Sequence, residues 1–324
     1  MRSLIIFCFL FALSHASSSQ EQSQYIALIT SLNGNVMLKK SGKSEFIKVF
    51  WGTQLYQGDQ IKTGDYSDVT MTYSNNSIVK LGPDNLITIT KAESTVIQSA
   101  GNVKKVSSAM MVNISALTSV KNEKKDVGAL AGLRASGAEE PISPASPYNT
   151  TIRTNQPTFA WIPSKPFDIY IVNLYNSQGL VWSKRVSENQ LEFPESEKGL
   201  EFGETYFWNV EGEDLLDNEK SGNYKFSVVS FEKSKEVISQ EALIRQTFDS
   251  DTDSSSLHSF LGAYYINQGL LQDAIIEFQI VSRINPDAPL PHEILGSLYS
   301  DVGNKDKAIE ELQKALDLAK KEDK

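Results

Sequence analysis

Two stretches near the C-terminus repeat each other at an offset of 34 residues: Leu261-Gly262, Tyr265, Gly269, Ala274 and Phe278 return as Leu295-Gly296, Tyr299, Gly303, Ala308 and Leu312. Small residues at fixed intervals let two helix backbones approach closely, provided a larger partner fills the space beside them. Each unit is therefore predicted to be a helix, a turn at Gly269 or Gly303, and a second helix. A sequence with this period buries its apolar faces by stacking one unit on the next.

The spacing and residue types, with Pro286 after the second helix of the first unit, resemble the tetratricopeptide repeat. The resemblance sets repeats at 254–287 and 288–321 and implies binding rather than catalysis. In that family the first helix of each unit lines a concave groove. Carried onto this sequence, the groove comprises Ser259, Ala263, Ile266 and Asn267, then Glu293, Ser297, Ser300 and Asp301. The Lys and Arg with which some family members clamp a partner's terminal carboxylate are missing. A neutral, apolar or basic segment is thus expected in preference to an anionic tail. The alternative is that the repeats hold neighbouring domains together or mediate self-association. Ahead of them, residues 231–253 read as a helix with Val237, Leu243, Ile244 and Phe248 on one stripe, followed by a polar linker. That helix either caps the two repeats or docks back on the preceding domain.

The first half of the chain has a different period. Val69-Thr70-Met71-Thr72-Tyr73 alternates apolar and polar residues, as a strand with one buried face does. Asn75-Asn76 suits a tight hairpin into Ile78-Val79-Lys80-Leu81, and Gly82-Pro83-Asp84 turns the chain again. Gly34-Asn35-Val36, Gly52-Thr53-Gln54-Leu55 and Gly58-Asp59-Gln60-Ile61-Lys62-Thr63-Gly64 occur in order around these strands. Together they resemble the FecR domain, placed at 23–118 and implying a mostly antiparallel β fold. Residues 119–147, with a charged run and Pro141, Pro144 and Pro147, read as an exposed linker. Short strands then recur over 148–230. Leu200, Gly203, Tyr206, Trp208 and Val210 resemble the corner strand of fibronectin type III domains, in which a tyrosine hydroxyl bonds back to the preceding loop. Trp161 and Trp208 alternate with polar neighbours as core residues do, whereas Trp51 before Gly52 reads as partly exposed at a strand end. The fold class is therefore multidomain α+β: a FecR-like β domain, a β-sandwich and a C-terminal helical repeat array.

Met1-Arg2, an apolar run from Leu4 to Leu13 and Ser14-His15-Ala16 read as an export signal over residues 1–16. The run is shorter than the roughly 20 residues a spanning helix needs. An integral membrane protein is not expected. With Cys8 inside the signal, the mature chain has no thiol for disulfides or cysteine-ligated metal. A net charge of −9 excludes general nucleic-acid binding, which needs clustered Lys and Arg. His258 and His292 are 34 residues apart, so they read as packing residues of equivalent helices rather than catalysts. Asp249, Asp251 and Asp253 alternate like calcium ligands, but Ser254 and Phe260 replace the Gly and Glu that such a loop requires. No catalytic residue, metal site or cofactor is nominated.

The function expected is a non-catalytic binding or scaffold protein of a bacterial envelope, periplasmic or at the cell surface. Its partners are envelope protein or peptide in the repeat groove and envelope ligands, cell-wall glycan among them, on the β domains. The alternative is an extracytoplasmic signalling regulator like FecR, which requires a cytoplasmic arm before a membrane helix. Only Met1, Arg2 and Ser3 precede the apolar run.

Overall fold

The computed structural model describes residues 25–75, 77–91, 141–215, 217–248 and 254–322. The readings made for the export signal, for Asn76, for most of the linker and for the three alternating aspartates lie outside them.

The N-terminal strands are β1 (Ala27–Asn33), β2 (Val36–Lys39), β3 (Ile47–Lys48), β4 (Gln54–Leu55), β5 (Gln60–Thr63), β6 (Asp68–Tyr73), β7 (Ile78–Leu81) and β8 (Leu86–Thr88). They form two four-stranded sheets, ordered β4-β1-β6-β7 and β3-β2-β5-β8, with every neighbouring pair antiparallel. Ala27, Ile29, Val36, Leu38, Ile61, Val69 and Met71 belong to one buried cluster. The Gly58-Asp59 pair has a physical task here. Gly58 turns the chain at φ 85°, and the buried Asp59 carboxylate accepts the amides of Ser41 at 2.9 Å and Tyr56 at 3.0 Å. A side-chain oxygen thus satisfies turn donors that the sheet cannot. Thr63 does the same four residues on, donating to Gly82 O and accepting from the Asn85 amide.

The second β unit comprises β9 (Ile142–Ser146), β10 (Thr150–Ile152), β11 (Thr158–Pro163), β12 (Ile169–Asn176), β13 (Gly179–Val186), β14 (Gln190–Glu192), β15 (Thr205–Glu213), β16 (Asn218–Lys220) and β17 (Tyr224–Val228). A sheet ordered β14-β11-β9 faces one ordered β10-β17-β15-β12-β13, with β16 paired to β15. All links are antiparallel except β10 with β17. Phe159, Trp161, Trp208 and Phe226 fill the space between, each under 2% exposed. Trp182 stacks on Phe159 at 6.2 Å. The unit begins earlier than residue 148, because 142–146 is a strand and not the end of a linker. Pro144 is compatible with that, since β9 lies at a sheet edge, where one row of ladder donors is not needed.

Helices follow at α1 (Phe231–Thr247), α2 (Ser255–Gln268), α3 (Leu271–Ile284), α4 (Pro289–Asp301) and α5 (Lys305–Glu322). Ser230 caps α1 by accepting the Lys233 amide, and Ser254 caps α2 by accepting that of Leu257. Gly269 and Gly303 turn the chain between paired helices at φ 72° and 86°. Val237, Ile244 and Phe248 bury α1 in the cluster that contains Phe260 and Tyr264 of α2. The same helix also meets the sandwich, where Ser234 Oγ donates to Arg153 O at 2.8 Å and Phe231 meets Phe202 edge-on, so both arrangements read from the sequence occur together. No helix among the described residues is long and apolar enough to cross a membrane.

Candidate functional site

The face of α2 read as an open groove is an internal interface. Ser259 and Ala263 are fully buried. Trp51, only 2% exposed, donates its indole N–H to Ser259 Oγ at 3.2 Å and meets Phe278 of α3 edge-on. It is not the partly exposed strand-end residue its sequence suggests. Beside it, Thr30 of β1 shares hydrogen bonds of 3.0 Å with Thr72 of β6 and Ser256 of α2. Leu28 and Ile78 join the same buried cluster as the helices.

The local cause is the pleat. Ala27 and Ile29 point into the β core, so Leu28 and Thr30 point out. Thr70 and Thr72 of β6 lie on that outer face as well and are 7% and 0% exposed. Strand β6 is therefore covered on both sides, where alternation had predicted one wet face. Gly52 completes the fit at φ 84°: a Cβ there would stand 2.5 Å from Leu290 Cδ2 at the start of α4. An aromatic such as Trp51 removes roughly 150–250 Å² from water, about 4–6 kcal/mol of gross hydrophobic stabilisation.

The remaining predicted groove residues divide by helix. Ile266 is half-buried and Asn267 exposed at the end of α2. Glu293, Ser297 and Ser300 are half-buried along α4, and Asp301 is exposed at its end. Asn267 and the last four thus retain access to solvent, the four on α4 presenting two carboxylates and two hydroxyls.

A clasp joins the sandwich to the helices on another side. Arg153, just after β10, donates Nε–H to Asp273 of α3 at 3.0 Å and pairs through Nη1 with Glu241 of α1. Its guanidinium lies 5.4 Å from the Tyr265 ring of α2. Burial works against the Arg153 cation, yet Tyr265, Asp273 and Glu241 beside it hold its proton more firmly than usual. Burial raises the Asp273 pKa, partly opposed by Arg153. Burial also pushes the Tyr264 phenol up to about 12 and the Tyr265 phenol higher still. These hydroxyls stay neutral at physiological pH.

Each repeat also contains a histidine–carboxylate pair: His258 with Glu277 and His292 with Glu311, both at 2.6 Å. The histidines take the packing places expected of them. Their glutamate partners were missed, although Glu277 and Glu311 share the same 34-residue offset.

No protein-family model and no curated protein matches this chain. Among solved structures, a "cell surface anchoring domain" is similar at 23% identity and TM-score 0.19, covering 20% of this chain and 84% of that one. The fn3 domain of human collagen alpha-1(XX) chain is similar at 16% identity and TM-score 0.22, over 30% and 93%. A β-1,2-glucanase from Parabacteroides distasonis is similar at 10% identity and TM-score 0.24, over 91% of this chain and 49% of that one. Likeness at these scores says nothing about what this chain binds.

Proposed function

We propose that this chain is an exported, non-catalytic scaffold of a bacterial envelope, in which two tetratricopeptide-like helix pairs organise a FecR-like β domain and a fibronectin type III-like sandwich. The observation that carries the reading is the burial of Ser259 and Ala263 under the Trp51 loop. The face that would grip a peptide grips the chain's own β unit instead. Three observations support the domain assignments. Gly262 and Gly296 each face the large residue expected opposite, Phe278 and Leu312. The Tyr206 hydroxyl accepts the Glu201 amide at 2.9 Å, the bond expected of a corner tyrosine. Asp59 and Thr63 fix the turns of the Gly-Asp segment. A non-catalytic role accords with His258, which is 8% exposed and tied to Glu277 inside a helix pair.

On this reading the external partner is an envelope protein or peptide with a neutral or basic segment, received on the α4 side by Glu293, Ser297, Ser300 and Asp301. The β surfaces that the helices leave uncovered are open to further envelope ligands such as cell-wall glycan. Affinity capture from envelope extract tests this. The expected result is a specific partner whose recovery falls sharply with Glu293→Lys/Asp301→Lys while thermal unfolding is unchanged. Equal recovery by a chain ending at Ser230 would move binding to the β units.

A further inference from the structure

A cleft of about 600 Å³ opens where the sandwich meets α1 and α3. Small-molecule sites occupy roughly 300–1,000 Å³, favour domain interfaces, and combine apolar walls with a few polar groups. Phe202 of the sandwich, Phe231 and Ile238 of α1 and Ile276 of α3 wall this one. Phe231, Ile238 and Ile276 are 51%, 57% and 48% exposed, so two helices converge large apolar side chains on water. Covering such surface is favourable by about 25 cal/mol/Å².

The charges at the cleft are unequal in what they offer. Arg153 and Asp273 line it, but they satisfy each other and Glu241. Lys235 also lines it, one helical turn from Phe231 and with its ammonium 4.1 Å from that ring's centroid. It forms no ion pair among the described residues. A ligand entering here meets an apolar trough with one uncompensated cation. We propose that the cleft binds a free amphiphilic monocarboxylate of the fatty-acid type, its chain along Phe231, Ile238 and Ile276 and its carboxylate at Lys235. The trough supplies affinity by desolvation, and Lys235 selects the head group by charge.

Isothermal titration of the full chain with laurate, below the concentration at which laurate self-associates, tests the assignment. One saturable site per chain is expected. Ile276→Asp should weaken it at least tenfold, and Lys235→Glu should weaken laurate severalfold while leaving 1-dodecanol unchanged. Both positions are exposed, so unaltered thermal unfolding verifies that the variants fold. No saturable binding, or laurate affinity equal to wild type in either variant, would overturn the proposal. So would binding to phosphatidylglycerol vesicles without binding to monomeric laurate, which would make the patch a membrane contact.

Discussion

Gly262 and Gly296 show how little room separates the paired helices. A Cβ on Gly262 would lie 2.6 Å from Phe278 Cε2, and one on Gly296 would lie 2.6 Å from Leu312 Cγ. Gly262→Ala is expected to cost about 1–3 kcal/mol through overpacking, despite the better helix propensity of alanine; denaturant titration measures it. Glu311 gives a pH-dependent test. Burial pushes its carboxyl up, but His292 and Lys314 outweigh this and hold it below its ordinary value of 4.5. A folded-state pKa below the unfolded one means stability that is present above the unfolded value and is lost as pH falls through the folded value. Glu311→Gln should therefore be less stable than the parent at neutral pH, and the gap in melting temperature should close on acidification through the carboxylate range. A gap that stays constant with pH would show that the loss comes from packing alone. Residues of the repeat were legible because period and size together fix their contacts. Trp51 was not, because the residues that bury it lie about two hundred positions away.

Elements were legible where one face of a segment decides its partner. The stripe on α1 and the paired helices after it came from local periodicity, and the structure places them as read. Strand β6 misled for a physical reason: threonine is polar enough to mark a wet face, yet its hydroxyl can be buried once a serine on a helix bonds to its neighbour. Strand β9 misled because proline, common in linkers, is also tolerated on an edge strand. Two tests belong to this scale. Ala308 is fully buried between α4 and α5, so Ala308→Arg should cost about 2–4 kcal/mol and reduce helicity by circular dichroism. Arg153→Ala removes the cation shared by α1 and α3, leaving Asp273 and Glu241 facing each other without it. With the side chain 31% exposed, the loss is expected at roughly 1–3 kcal/mol, below that of a fully buried pair. Amide exchange should then quicken at the sandwich–helix contact before it does in the sandwich core.

At the scale of the whole molecule, the helical array clasps the N-terminal β unit along α2 and the start of α4, and the sandwich through Arg153. Ser259 and Ala263 of the predicted groove are thereby covered, while Asn267 and the α4 flank keep access to solvent. Sequence reasoning offered both a peptide groove and a holder of neighbouring domains but could not choose, because nothing local marks which face of a β unit meets which helix. The most direct measurement uses a cross-link. Thr30 and Ser256 bring their side-chain oxygens to 3.0 Å, so two sulfurs in their place would stand side by side. A Thr30→Cys/Ser256→Cys variant, in a Cys8→Ser background, should close on mild oxidation into an intramolecular bond in nearly every chain at micromolar concentration. Peptide mapping would identify the linked pair, and Trp51→Ala should slow its formation. Two thiols that stay free, or that join only between chains, would contradict the account.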